Sequence, residues 1–438
     1  MTAVERRAGE PDPVSTRVPF PVVDEVARHC AQEAEPETVH IEVHLPGRVD
    51  AGRLRRAFGE ALLRHPRVLV RQAPAHWYSR GYVWELTEGP DVETVTFPAA
   101  GPHALEHARQ RALDHAPPLS SSPPVRLEAI GGGDGHGAGD GTVLVLTVNH
   151  TALDGPACLR VLATAAALYG GRDNSPAAPP ARHPNAPEEP APPAPAGWAP
   201  PARVAPGSPE RAPGNRLLLA ELPLPHRPRG APYTVNDQLM AATALTVARW
   251  NREHGARPRP MRATMPVDDR PRDVTMPIGN GTRLVEVPFA ADELTEDDLP
   301  ALLRRTAHRT RALKSRPRPQ LGHGAALLTA PWAPVGVRAA LTRGLRRAAA
   351  PWTSTTLLSN IGRVPYPLDF GEEAGRAHAV WFSAPARMPR GLTITTASTA
   401  GRLHLALRWS RTLLGPADGA RLRELFEHCL HLTQEAAP

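Results

Sequence analysis

The sequence is almost without lysine: of its 51 basic residues, only Lys314 is not an arginine. Alanine, glycine and proline are abundant as well, with 35 glycines and 52 prolines, which is the pattern of a GC-rich coding sequence. Aromatic residues make up only 5% of the chain, and the arginines are interspersed with acids rather than massed on one periodic face. The formal charge of +7 therefore does not point to nucleic acid; a basic surface would instead help to steer an acidic protein partner. Cysteine is scarce too. Cys30, Cys158 and Cys429 are widely spaced and odd in number, which fits a reducing compartment better than a disulfide framework or a zinc site. No apolar run approaches the ~18 residues of a membrane span. The charged N-terminus, MTAVERRAGEPDPVSTR, lacks the apolar segment of a secretory signal. The expected location is cytoplasmic, with no membrane and no nucleic acid as partner.

What is present is enough chain, 438 residues, for two lobes of ordinary domain size. Residues 38–47, TVHIEVHLPG, alternate apolar and polar as a half-buried strand does. In VDAGRLRRAFGEALLRHP, Asp50 is placed to cap a helix whose stripe is Leu54, Ala57, Phe58, Ala61 and Leu62. The run TVLVLTV, 142–148, predicts a strand covered on both faces. The glycine-rich segment 131–141 lacks the lysine of a phosphate loop and reads as a hairpin connection. From 173 to 213 the chain is dominated by Pro and Ala, a linker or a long crossover. Beyond it lie the strand candidate NRLLLAELPLP, an apolar helix in YTVNDQLMAATALTVARWN, a basic helix over 299–316, a hairpin turning at Gly401, and a last helix over 416–433. Strands and helices thus recur in both halves, an α/β pattern compatible with two related lobes, 1–172 and 214–438.

The chemistry is concentrated in TVNHTALDG, 147–155. A strand ends at His150 and Pro156 opens a helix, so His150 to Gly155 is a short loop. A histidine there projects from the carboxyl end of a strand, where clefts of α/β proteins lie. Imidazole titrates near neutrality, so a positioned neutral nitrogen can take a proton from an attacking hydroxyl or amine. Asp154 need not touch that proton; it can cap the turn or bind a buried arginine. Gly155 would let a substrate chain pass close to the backbone. A structural turn with no chemistry is the alternative.

NHTALDG resembles the His-His-x-x-x-Asp-Gly signature of the chloramphenicol-acetyltransferase-like superfamily, which includes nonribosomal peptide condensation domains, polyketide-associated acyltransferases, wax ester synthases and the plant BAHD acyltransferases. The resemblance runs along most of the chain. VDAGRLRRAFGEALLRHP is similar to the family's first helix, TVNDQLMAATALTVARW to the Val-Asn-Asp helix of free-standing bacterial members, MPVDDRPRDVTMPIGNGT to its Pro-x-x-x-Arg and Gly-Asn segments, and LLSNIGRVP to its Ser-Asn-x-Gly segment. The resemblance implies a V-shaped pair of acetyltransferase-like lobes, an α+β sandwich each, with a tunnel between them. It implies His150 as the catalytic histidine, Asp154 as the structural aspartate and Gly155 as the motif glycine. An arginine of the second lobe would pair with Asp154; Arg270 is best placed, and Arg272 is the alternative. Ser359 and Asn360 would line the tunnel as oxyanion donors or serve as turn structure.

Two departures stand out. The first histidine of the double-His motif is Asn149, a tunnel position read as supportive. LDFGEE, 368–373, echoes the Asp-Phe-Gly-Trp-Gly motif of the plant enzymes without its Trp-Gly half, so Asp369 reads as structural. His40, His44, His323 and His404 have no motif around them, and no Gly-x-Ser-x-Gly elbow marks a serine hydrolase. The expected activity is acyl transfer from a coenzyme A or phosphopantetheine thioester, as co-substrate, to a hydroxyl or amine of a small-molecule acceptor, in natural-product assembly. It needs no metal, no permanently bound cofactor and no covalent enzyme intermediate, and an acyl or peptidyl carrier protein is a candidate partner of the expected monomer. A catalytically silent protein that binds a carrier or scaffolds a complex is the alternative, kept open by Asn149 and the Pro/Ala stretch. An epimerase-like or cyclising variant is the weaker third idea, since cyclising relatives replace this histidine with aspartate.

Overall fold

In a computed structural model, which describes residues 16–131, 141–174, 199–315 and 325–435, apolar strands gather into two large sheets, each with its own hydrophobic core. The first sheet has five strands in the order Ala379–Ser383, Thr38–Leu45, Thr142–Asn149, Val125–Gly131 and Val95–Thr96. Its neighbours are antiparallel except the last pair. The second has six, in the order Arg283–Phe289, Met261–Val267, Thr356–Arg363, Leu392–Thr399, Arg402–Ser410 and Asn215–Pro223. Thr356–Arg363 runs parallel to both of its neighbours and the remaining pairs are antiparallel. A small third sheet joins Arg17–Pro19, Val83–Leu86 and Val70–Gln72.

The helices form where pattern and caps agree. Ala51–Arg64 is capped by Asp50, whose Oδ1 accepts from the Arg53 amide at 2.6 Å. The five residues of its predicted stripe are the five it buries. Val235–Glu253 opens with a capping box, Thr234 and Asp237 each bonding the other's backbone N–H. The helices Leu299–Ser315 and Pro416–Glu435 and the hairpin turning at Ala400 and Gly401 stand where the pattern placed them. The glycine-rich segment (132–140), most of the Pro/Ala stretch (175–198) and His323 lie outside the described residues. Among the described residues no helix is long and apolar enough to cross a membrane.

Strand Thr38–Leu45 departs from expectation. It is buried on both faces, not half-buried, and His40 and Glu42 are fully covered. Glu42 accepts a forked pair of hydrogen bonds from Arg109 at 2.7 and 2.6 Å and a third contact from His44 at 2.6 Å. Burial alone would raise its pKa; these partners outweigh it and hold the carboxyl at about 2. Arg109 sits on helix Ala104–Asp114, so a tertiary partner overrides the alternation.

The two cores draw on different parts of the chain. One is built from residues between Ala202 and Leu430. The other draws on the first 169 residues and also on Tyr366, Leu368, Phe370, Val380 and Phe382. The edge strand Ala379–Ser383 comes from far down the chain and pairs with Thr38–Leu45, stitching the halves together.

Candidate active site

Strand Thr142–Asn149 ends one residue before His150, and helix Gly155–Tyr169 begins five residues later. The loop between them is pinned from both ends. The His150 amide donates to the Glu37 carbonyl at 2.9 Å. His150 Nδ1 lies 3.0 Å from the Leu153 carbonyl oxygen. A carbonyl can only accept, so in the neutral ring Nδ1 carries the proton and Nε2 holds the lone pair. His150 is partly buried and lines a cavity of about 240 Å³ between the two sheets.

Asp154 caps the helix and leaves the histidine alone. Its Oδ1 accepts from the Ala157 amide at 3.1 Å. Its Oδ2 accepts from Arg270 Nη2 at 2.7 Å, from the Gly281 amide at 2.8 Å and from the Thr282 amide at 3.2 Å. Arg270, not Arg272, is therefore the ion-pair partner. Nη2 and Nε of Arg270 also reach Asp268 at 3.0 and 2.8 Å, and Nη1 reaches the carbonyls of Pro277 and Gly279. All five guanidinium N–H groups are thus engaged. Burial disfavours its charge, but the bonds to Asp268 and the charge of Asp154 outweigh that and raise its pKa. Arg272 lines the cavity and donates to the Ile361 carbonyl.

The clasp contains residues that sequence reasoning did not assign a role. Asn280 Nδ2 lies within 3.2 Å of the His150 carbonyl, 2.9 Å of the Thr151 carbonyl and 2.9 Å of Asp24 Oδ1. It thereby ties the histidine's own peptide to the second half of the chain. A Cβ on Gly281 would be driven into the Arg270 guanidinium, so the GNGT segment needs glycine there. The signal was present, a Gly-Asn-Gly run between two strands, but its meaning depends on what it faces. Asp24 also accepts from Trp84 Nε1 at 2.9 Å. Burial pushes its carboxyl up to about 6 against those two hydrogen bonds.

Gly155 lines the cavity at backbone φ/ψ that any residue adopts, and a methyl there would meet only Phe382 and Val39 at ordinary contact distance. The fold has room for a side chain; the cavity loses what the side chain takes. Ser359 lies on Thr356–Arg363 and lines the cavity, and its Oγ has no hydrogen-bond partner among the described residues. Asn360 also lines it, but its amide is occupied. Oδ1 accepts from the Gly362 amide at 2.9 Å and from Thr396 Oγ1 at 3.1 Å, while Nδ2 donates to Asn236. Those bonds hold the register shift of the strand between Asn360 and Gly362.

Asn149 faces elsewhere. It lines a second, more open cavity of about 1050 Å³, with Nδ2 on the Pro117 carbonyl at 3.0 Å and Oδ1 accepting from the Thr151 amide at 3.1 Å. Glu37 lines both cavities and pairs with Arg387. Asp369 accepts from Arg172 at 2.8 Å and from the Gly371 amide at 2.9 Å, outside either cavity. All three cysteines are buried and free.

Similarity to known proteins follows the same lines. No family model matches the chain. It is 31% identical over 386 residues to the uncharacterized proteins Rv2305 and MT2362 of two Mycobacterium tuberculosis strains, covering 80% of this chain and 84% of each of them. The condensation domain of the monacolin K polyketide synthase MokA superposes with a TM-score of 0.64 at 14% identity, over 96% of this chain and 98% of that one. The starter condensation domain of rhizomide synthetase RzmA, in complex with C8-CoA, gives 0.63 at 14% identity, over 94% and 93%. The trichothecene 15-O-acetyltransferase TRI3 of Fusarium sporotrichioides gives 0.61 at 13% identity, over 95% of both chains. The chain therefore belongs to one family with Rv2305 and carries the fold of condensation domains and of the acetyltransferase TRI3.

Proposed function

We propose that the protein is an acyltransferase that uses His150 as general base. The observation that carries this reading is the bond from His150 Nδ1 to the Leu153 carbonyl, which leaves the Nε2 lone pair on a residue that lines the cavity. The donor is a thioester on coenzyme A or on the phosphopantetheine arm of a carrier protein, and the acceptor is a small molecule bearing a hydroxyl or amine. The RzmA complex with C8-CoA and the acetyltransferase TRI3, on the same fold, support this choice.

Nε2 takes the proton of the acceptor as its oxygen or nitrogen attacks the thioester carbonyl carbon. The new C–O or C–N bond forms and the carbonyl electrons move onto oxygen. When that oxyanion collapses the C–S bond breaks, and the departing thiolate recovers the proton from Nε2. Ser359 Oγ, which has no partner among the described residues, is the donor assigned to the oxyanion. Asn360 holds the strand around it. Asp154 and Arg270 are positioning residues that fix the loop without touching the reacting atoms, and Asn280 shares that task.

The test is intact-mass detection of acyl transfer from a panel of coenzyme A and carrier-protein thioesters to pooled alcohols and amines, wild type beside His150→Ala. Removing the base is expected to cost roughly 100- to 10,000-fold in rate. Equal background turnover in both, together with measurable carrier binding, would replace the enzyme with the scaffold reading.

A further inference from the structure

Two arginines that line the cavity, Arg272 and Arg390, have no counter-ion among the described residues; Arg272 is exposed, and Arg390 is the one drawn into the wall. Arg390 lies between strands Ala379–Ser383 and Leu392–Thr399, is partly buried, and lines the same cavity as His150. Its Nε donates to Ser354 Oγ at 3.1 Å, and its Nη2 donates to Ser354 Oγ at 2.9 Å and to Thr264 Oγ1 at 3.2 Å. Both hydroxyls are buried and bonded to one another at 2.7 Å. They orient the guanidinium but cannot neutralise it.

Every nearby carboxylate is spent elsewhere. Glu37 pairs with Arg387, and Glu286 pairs with Arg262 at 3.1 Å on a side chain that is 41% exposed. Among the described residues no carboxylate comes within 4 Å of Arg390, and Nη1 has no protein partner. Burial, together with the charges of Arg387, Arg346 and Arg203, which outweigh Glu286, lowers its pKa to about 10, so it remains charged at neutral pH. Ser383 Oγ, 1% exposed, lines the cavity as a second polar atom with no partner. Most of the remaining wall is apolar, including Leu159, Met276, Leu284, Leu357 and Phe382. A guanidinium held by neutral groups in such a wall is costly unless an anion completes it.

We infer that Arg390 is the anchor for a carboxylate on the small molecule that fills this cavity, so that the substrate is acidic at the end remote from the reacting carbonyl. The inference rests on the acyl transfer proposed above. Geometry sets the scale. Thr264, which touches Arg390, lies two residues along its strand from Pro266 of the cavity wall, and Asp268, which shares Arg270 with Asp154, lies two further on. At ~3.3 Å per residue that is on the order of 10 Å between the carboxylate anchor and the His150 clasp. The carboxylate can sit at the far end of the acyl chain or on the acceptor. In either case the guanidinium offers Nη1, which no group among the described residues uses, and the Ser383 hydroxyl offers a further donor.

The test is a pair of matched titrations on the full chain. Suberyl-CoA is compared with octanoyl-CoA, and ω-hydroxyhexanoate with its amide, using wild type and His150→Ala so that the thioester stays intact. A preference of roughly 10- to 100-fold for the carboxylate is expected in one pair, and the pair that shows it names the source. Arg390→Gln, which retains donors for Ser354, is expected to remove that preference while leaving the neutral ligand's Kd within about threefold, and Arg390→Lys to keep part of it. Absence of a preference in both pairs with wild type overturns the inference, whatever the variants do. Equal weakening of both members of a pair by Arg390→Gln overturns it as well, because the arginine would then serve the coenzyme A moiety or the fold. Turnover with neutral donors but no carboxylate preference sinks this inference alone. A carboxylate preference without His150-dependent turnover sinks the transfer reading instead.

Discussion

Replacing Asp154 by alanine separates a residue that shapes the site from one that takes part in the chemistry. The carboxylate accepts four hydrogen bonds, three from backbone amides and one from Arg270. Its side chain is 2% exposed, so none of these is replaced by solvent. Loss of the helix cap costs about 1 kcal/mol. The stranded amides of Gly281 and Thr282 cost roughly 1 to 3 kcal/mol each. Arg270 keeps its two bonds to Asp268, so the ion-pair loss is smaller than for an arginine left alone. Partial relaxation of the clasp offsets part of the sum, and about 3 to 5 kcal/mol of lost stability is expected, the range for breaking a buried pair. Arg270→Met removes the cation that holds both Asp154 and Asp268 and should cost at least as much. The double variant should cost clearly less than the sum of the two, because the residues share partners. Urea denaturation of the three variants gives the stabilities, and a transfer assay run well below each midpoint gives the activities. A loss of under about 1 kcal/mol in Asp154→Ala, alongside a rate loss above 100-fold, would refute the argument and move Asp154 into the chemistry.

Three further outcomes follow from the same geometry. Gly155→Ala should leave the melting temperature unchanged or slightly raised, since the backbone tolerates a side chain and Gly→Ala at a compatible position stabilises by about 0.4 to 1 kcal/mol, while it narrows the cavity and lowers turnover. Gly281→Ala should instead lower stability by driving Arg270 off Asp154, and a thermal-shift comparison in which the two glycines behaved alike would contradict both. Asp24 has a folded pKa of about 6 against an ordinary 3.8, so the stability linked to its protonation is full below about 3.8 and lost as pH rises through 6. Wild type should therefore lose up to roughly 3 kcal/mol relative to Asp24→Asn between pH 4 and 7, and a difference that stayed flat over that interval would show that Asp24 is not held in its acid form.

Much of the fold was legible because local pattern and tertiary demand agree. The helix Ala51–Arg64, with its Asp50 cap and five-residue stripe, could be read residue by residue. So could the strand-loop-helix around His150, because Pro156 and the apolar run before it leave little freedom. The strand Thr38–Leu45 misled because Glu42 finds an arginine on a helix more than sixty positions away. Arg270 could be placed near Asp154 by resemblance, but choosing it over Arg272 needed the guanidinium's direction. Asn280 stood in a Gly-Asn-Gly run whose meaning depends on what it faces, and Arg390 had no local signature at all. In a chain with so many arginines, what distinguishes Arg390 is that it is partly buried, lines the His150 cavity and has neither a carboxylate within 4 Å nor a partner for Nη1 among the described residues.

The edge strand Ala379–Ser383 has a consequence for how the chain can be divided. Severing the polypeptide within the Pro/Ala stretch would leave the N-terminal piece with Thr38–Leu45 paired on one side only, to Thr142–Asn149. That piece would expose an unpaired β edge carrying Val39, Ile41 and Val43, now fully or almost fully covered, and such an edge recruits other chains. The C-terminal piece would carry Val380 and Phe382 with no core to enter. The halves are complementary fragments rather than modules. A gene split at this point should yield soluble protein only when both fragments are made together.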